Sequence, residues 1–144
     1  MTTTSIFGIT IPDDTDLVKD GASAIRTVGN GFDSAVGQIT LNAKTASYTA
    51  IATDNRNKLV TMSVASANDF LIPTNASVAF PIGSVINVIQ IGAGQTTIKA
   101  VTSGTTTISS TGATATAPKL RAQFSAASCV KVATDTWYVV GDIS

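Results

Sequence analysis

Apolar and polar positions alternate at the start of the chain, and this pattern predicts an extended arm over residues 1–12. Pro12 ends the pattern, because proline cannot donate the backbone hydrogen bond that a continued strand requires. So short an apolar segment cannot build a core of its own, and we therefore expect the arm to lie on another protein surface. The residues predicted to anchor it are Ile6, Phe7, Ile9 and Ile11.

A seven-residue apolar repeat follows the arm. It is formed by Val18, Ile25, Phe32 and Ile39, with Val28 and Ala35 three residues after two of them. This spacing is the a/d stripe of an amphipathic helix, but the glycines within it weaken the helix by about 1 kcal/mol each. We expect a short helical segment that packs on the rest of the protein or bundles with copies of itself. The assembly residues predicted in it are Val18, Ile25, Val28 and Phe32.

The pattern changes to a two-residue period in the rest of the chain. Threonine, valine and isoleucine dominate there, and glycine, asparagine, serine and proline interrupt them at short intervals. Seven or eight short strands at this spacing predict a mainly β fold, an antiparallel β-sandwich or barrel. The chain is thus divided into an anchoring segment, residues 1–40, and a β domain, residues 41–144. The predicted core residues are Phe70, Ile86, Val88, Phe124, Trp137 and Val139.

The last strand carries the only tryptophan of the chain. Trp137 and Val139 share one face of it, while Tyr138 and Val140 share the other, and a short hairpin loop at Thr134–Asp135 precedes it. Chain ends usually fray unless something holds them. We expect Trp137 to close the end of the β core, because a buried indole removes about 150–250 Å² from water.

Charge is scarce and evenly balanced in sign. Charged residues make up 12% of the chain, and its net charge is zero. Residues 1–40 carry five acids and two bases, and residues 41–144 carry four acids and seven bases, which are scattered singly. Nucleic acid binding needs a basic stripe, so it is not expected. Neither a membrane span nor a secretion signal is recognised, which predicts assembly in the cytoplasm.

Catalytic chemistry has few candidates in this sequence. There is no histidine, and Cys129 is a single cysteine in an apolar stretch, which predicts a buried structural thiol. The "GAGQTT" stretch at 92–97 lacks the ending of a phosphate-binding loop and predicts a turn between strands. The aspartates at 13–20 lack the spacing of a calcium loop and suit a helix start. We therefore predict no enzyme activity, no cofactor and no metal site.

Two parts of the chain resemble tailed-bacteriophage virion proteins. The segment "IPDDTDLVKDGASAIRTVGNGFDSA" is similar to the N-terminal segment of many such proteins, with a Pro-x-x-Thr-Asp-Leu-Val-Lys-Asp-Gly core. The stretches "FPIGSVINVIQIGAGQTTI" (80–98) and "AQFSAASCVKVATDTWYVVGDIS" (122–144) resemble a β module that ends many fibre-like and minor virion proteins. The resemblance implies a non-enzymatic structural part of the virion, in which the Trp-Tyr strand is the closing strand of the module.

Longer members carry an insert between the two parts, whereas here the parts are nearly contiguous. A compact protein fixed to the particle is therefore the leading interpretation: a capsid decoration (cement) protein on the outside of the head. Its expected partners are itself, as a homotrimer, and the major capsid protein or other virion proteins. The alternative is a short tail-fibre or minor tail protein that contacts the host surface, where a glycan is the candidate partner. A glycosidase is disfavoured, because all nine acids are aspartates, mostly in the N-terminal segment and predicted turns.

Overall fold

The computed structural model describes the backbone of residues 2–3 and 10–11 and all of residues 20–144. The chain divides into two compact units, Met1–Ile39 and Thr40–Ser144. In the first unit, β1 (Thr2–Thr3) pairs antiparallel with β2 (Thr10–Ile11), so the two ends of the predicted arm are strands that pair with each other. Helix α1 (Gly21–Val36) runs without a break through the glycines of the apolar repeat.

The second unit contains the remaining strands. They are β3 (Thr40–Lys44), β4 (Tyr48–Thr49), β5 (Lys58–Met62), β6 (Asn68–Ile72), β7 (Val85–Gln90), β8 (Thr96–Ala100), β9 (Thr107–Ser110), β10 (Ala126–Ala133) and β11 (Thr136–Gly141). A six-stranded sheet has the order β3-β5-β7-β10-β11-β9, and a three-stranded sheet has the order β4-β6-β8. The prediction of a mainly β fold is confirmed.

Consecutive strands from β3 to β8 alternate between the two sheets. The chain therefore winds through three stacked coils, β3–β4, β5–β6 and β7–β8, and each strand lies parallel to its equivalent in the next coil. Parallel neighbours need a crossover of about a dozen residues or more, and each crossover here contains a strand of the other sheet. The stacking is that of a short β-solenoid, in which each coil contacts mainly its neighbours.

The corners of the coils, which are the turns that join their strands, also contact each other through their backbones. Gly94 donates its backbone N–H to the carbonyl of Val64, 2.9 Å away. A Cβ atom at Gly92 or Gly94 would overlap the backbone of Val64 or Ser66, so glycine is required where these two corners meet. The "GAGQTT" stretch is this corner and leads into β8, which confirms the predicted turn.

The strand directions correct the sequence-based expectation. Within residues 40–144, only β7–β10 and β10–β11 pair antiparallel, and the other named pairs are parallel, including β9–β11. These described residues form no closed barrel. A two-residue period fixes which face of a strand is buried and carries no information on the direction of its neighbour, so the antiparallel prediction was wrong.

Side chains from both sheets form one hydrophobic core. Five of the six predicted core residues are buried in it: Phe70, Ile86, Val88, Trp137 and Val139. Trp137 is 1% exposed and lies edge to face with Phe80. The prediction that the indole is buried in the β core is confirmed.

Phe124 is the predicted core residue that was placed wrongly. It is 69% exposed, with a positive φ of 71°. The alternation in "KLRAQF" suggested a strand, but that pattern ends at Leu120, which is buried. A turn follows, held by the Ser125 N–H to the carbonyl of Ala122 and by the Ala122 N–H to the Ser125 hydroxyl. The turn directs the Phe124 ring away from the core.

Candidate assembly surface

The apolar stripe of helix α1 is open to solvent. Ile25 is 71% exposed, Phe32 58% and Val36 54%, and they are spaced by seven and four residues, so they lie on one side of the helix. Val28 is half-buried on the same side, whereas Ala24 is buried. The structure thus brings three predicted assembly residues, Ile25, Val28 and Phe32, into one exposed apolar stripe.

The other predicted anchoring residues cannot be placed in the same way. Ile6, Phe7, Ile9 and Val18 lie outside the described residues. Ile11 belongs to β2, where only the backbone is described. The predicted anchoring role of the arm therefore stays a prediction.

A second candidate surface is the outer face of the six-stranded sheet. None of the side chains that point away from the core on β3, β5, β7, β9, β10 and β11 is charged, and we call this surface the uncharged sheet face. Its centre is a row in which Val130 lies directly between Val85 and Tyr138 on neighbouring strands. Tyr138 is 50% exposed and Val140 55%. Depletion of charge with an aromatic residue near the centre is typical of the core of a protein interface.

The outer face of the three-stranded sheet has the opposite character. Asp69 on β6 and Lys99 on β8 form an ion pair there, with 2.8 Å between the Lys99 Nζ and a carboxylate oxygen of Asp69. Both side chains are partly exposed, as expected of a surface in contact with water. One sheet therefore presents a charged outer surface, and the other presents an uncharged one.

Polar contacts hold the C-terminus against the segment 119–125. Arg121 donates two hydrogen bonds to the carboxylate of Asp142, at 2.6 and 2.9 Å, and the Ser125 hydroxyl donates a third at 2.6 Å. The guanidinium of Arg121 and the Ser125 hydroxyl hold the pKa of Asp142 below its usual value. Ser144 exchanges two backbone hydrogen bonds with Lys119. These bonds hold the end of the chain in place behind the closing strand.

A buried polar cluster closes the first coil. Asp54 is fully buried, and its carboxylate accepts hydrogen bonds from the Asn42 amide, the Tyr48 hydroxyl and the Ile51 N–H, each at 2.8 Å. Burial, with the hydrogen bond to Asp54, raises the pKa of Tyr48 to about 12. The carboxylate is satisfied and closed to solvent, so the cluster fixes the loop between β4 and β5.

Cys129 and Lys131 both point into the core from β10. Cys129 is fully buried as predicted, and burial raises the pKa of its thiol to about 12, which makes it a poor nucleophile. Lys131 is 2% exposed and was not singled out from the sequence. Its position two residues after Cys129, on the buried side of an alternating strand, was the signal that could have identified it.

Comparisons with protein-family models, curated proteins and solved structures found no match to this chain. Within the part of the chain that the structure describes, no group of three or more histidine, cysteine or acidic side chains is placed to hold a metal ion. The helix among these residues is too short and too polar to cross a membrane.

Proposed function

We propose that this protein is a non-enzymatic structural component of a tailed-bacteriophage virion, a capsid decoration protein bound to the outside of the head as a homotrimer. The sequence resemblance supports the assignment to the virion. The observation that supports a role in assembly is the uncharged sheet face, an outward surface of the β unit without a single charged side chain. An exposed surface that lacks charge and has an aromatic residue near its centre is typical of a protein interface.

The two candidate surfaces have different parts in this proposal. The exposed stripe of α1 (Ile25, Val28, Phe32 and Val36), together with the arm, binds the capsid protein or neighbouring subunits. The uncharged sheet face, centred on Tyr138, supplies most of the contact between subunits of the trimer. A helix of this length with several glycines associates weakly by itself, so the larger interface belongs to the β unit.

Oligomeric state tests the interface. We expect wild-type protein to be a trimer by light scattering and Tyr138→Lys to be a monomer, because the substitution buries an unpaired charge at the centre of the contact. Thr97→Lys is the matched control: it adds the same charge to the outer face of the other sheet, opposite Asp69. It should leave the trimer intact. Wild-type protein that is monomeric both in solution and on particles would contradict the proposal.

Copy number in purified particles tests the location. Hundreds of copies per particle support a head decoration protein, whereas a few copies, or a few dozen, support a tail protein. Quantitative mass spectrometry against the major capsid protein measures this ratio directly. Loss of the copies from particles when the protein carries Ile25→Asp and Phe32→Asp would connect the helix stripe with attachment.

One observation favours the alternative, a short tail-fibre or minor tail protein that contacts a host-surface glycan. A cleft of about 410 Å³ lies beside β8 and β9, and its lining alternates Lys99, Ser103, Thr106, Thr107 and Thr116 with Ala100, Gly104, Ile108 and Ala117. Hydroxyl and ammonium groups suit the hydroxyls of a sugar. Binding to a glycan array that Thr107→Val abolishes, together with a low copy number, would favour this function over decoration.

A further inference from the structure

Lys131 is buried in a way that charged side chains rarely are. It points inward from β10, lies opposite Trp137 on the same side of the sheet, and is 2% exposed. Lysines are almost never buried so completely unless they are paired with an acid. Within the described residues, its ammonium contacts no carboxylate. Its two hydrogen bonds go instead to the carbonyl oxygen of Phe80, at 2.7 Å, and to the side-chain amide of Asn75.

The contact with Asn75 joins an amine to a carboxamide. The Nζ of Lys131 lies 2.5 Å from Oδ1 of Asn75, and Oδ1 is bonded to Cγ, the carbon that a nucleophile attacks. Asn75 belongs to the loop after β6, so the contact connects the two sheets. Phe80 and Trp137, both almost fully buried, exclude water on one side.

The same asparagine is also hydrogen-bonded to a carboxylate. Asp135, in the hairpin loop between β10 and β11, accepts the backbone N–H of Asn75 at 2.6 Å and the Thr106 hydroxyl at 3.3 Å, both through Oδ1. Among the described residues, its second oxygen, Oδ2, accepts no hydrogen bond. An amine, a carboxamide and an acid are thus grouped inside one β unit.

We propose that Lys131 and Asn75 form an intramolecular isopeptide bond, with Asp135 as the acid–base group. The carboxylate of Asp135, which the ammonium does not contact directly, takes up its proton through one water molecule, and the free Nζ then attacks Cγ of Asn75. The C–N bond to the asparagine NH₂ group breaks as the new C–N bond is kept. The departing nitrogen takes up the proton held by Asp135 and the proton that Nζ loses, and it leaves as ammonium. One ammonium side chain and one carboxamide thus give one secondary amide and one ammonium ion.

The fold supplies what this reaction needs. Reactions between groups held in place gain effective concentrations of about 10⁵–10⁸ M, so no enzyme is required. The Phe80 carbonyl holds one N–H of Lys131 and thereby orients the amine toward Asn75. General acid–base catalysis by a carboxylate serves both the proton removal and the departure of ammonia. The product would join the loop after β6 to β10 and fasten the two sheets covalently, whatever particle the protein belongs to.

The mass of the intact, purified full-length chain tests the proposal. We expect it to be lower than the sequence mass, with or without Met1, by the mass of one ammonia molecule. Trypsin should not cleave after Lys131, and the digest should contain residues 59–99 joined to residues 122–144. Folded wild-type protein at the full sequence mass, without this peptide, would overturn the proposal.

Two variants separate the cross-link from other losses of ammonia. A cyclic imide at Asn30–Gly31 would lower the mass equally, but it would persist in Lys131→Arg, which keeps the cation and cannot form the bond. We expect Lys131→Arg to have the full sequence mass. Asp135→Asn keeps a residue that tolerates the positive φ of 53° and removes the acid, so it too should have the full mass.

Persistence of the deficit in Lys131→Arg would overturn the cross-link. Formation of the joined peptide in Asp135→Asn at the wild-type rate would overturn the role of Asp135. The wild-type mass and peptide decide the main question even if a variant fails to fold.

Discussion

The ring of Phe80 meets the indole of Trp137 edge to face, with ring centroids 5.5 Å apart and ring planes at 88°. Edge-to-face pairs of this kind add about 0.5–1.5 kcal/mol to the contribution of burial. Phe80 lies in the connection between β6 and β7, and Trp137 lies on β11, the last strand. The pair therefore fastens the closing strand to the coiled part of the β unit.

Replacement of Trp137 by alanine should lower the free energy of unfolding by about 3–5 kcal/mol, because it leaves a large cavity in the core. Chemical denaturation followed by circular dichroism measures the change. Tyr138→Ala is the control. This neighbour is half-exposed, so its truncation should lower the free energy of unfolding far less when both variants are measured as monomers. Equal losses for the two variants would contradict the role of the indole.

Alanine at Gly94 should destabilise the protein, since its Cβ would overlap the Ser66 backbone at the stacked corner. Alanine at Gly29 should instead be neutral or stabilising by up to about 1 kcal/mol, because nothing lies within contact distance there and alanine favours a helix. Midpoints of thermal unfolding compare the two variants. A destabilisation at Gly29 as large as at Gly94 would show that the corner is not the cause.

Acid should weaken the contact between Arg121 and Asp142. The pKa of Asp142 in the folded protein is lowered below its ordinary value of 3.8. The contact therefore stabilises the fold fully above pH 3.8, and this stabilisation is lost as the pH falls through the lower pKa of the folded protein. Asp142→Asn should therefore unfold with a weaker dependence on pH below about 4. Because the pair is exposed, added salt should reduce the difference. Identical pH profiles for the variant and the wild type would contradict this assignment.

Deletion of residues 1–12 should leave a folded β unit that no longer joins particles. All members of the buried core cluster lie within residues 50–139, so we expect the cluster to form without the arm. Circular dichroism checks the fold, and incorporation into particles checks the anchor. Unchanged incorporation of the shortened chain would contradict the anchoring role predicted for the arm.

The sequence was sufficient to predict which side of a strand or helix carries its apolar residues. Trp137 and Val139 were placed in the core because alternation along a strand determines which side is buried. The helix stripe was predicted in the same way, from the spacing of Ile25 and Phe32. These patterns are local and are visible without knowledge of the neighbouring strands.

The properties that the sequence did not reveal depend on contacts between distant residues. Strand direction is decided by where the chain returns, which alternation does not encode. Phe124 looked like a core residue until the turn at Ala122–Ser125 placed it outside. The cluster of Asn75, Lys131 and Asp135 joins residues far apart in the chain, so only the folded structure brings it together.

The stacked corners determine how a protein of this design can change in length. Each coil supplies one strand to each sheet, and the corner at Gly92 and Gly94 fits directly onto the corner before it. An insertion of part of a coil would break the register of both sheets at once. An insertion of a whole coil between β6 and β7, with a glycine at its corner, would extend the unit by one strand spacing, about 4.8 Å, and leave the closing hairpin intact. Growth of the β unit is therefore modular, in steps of one coil.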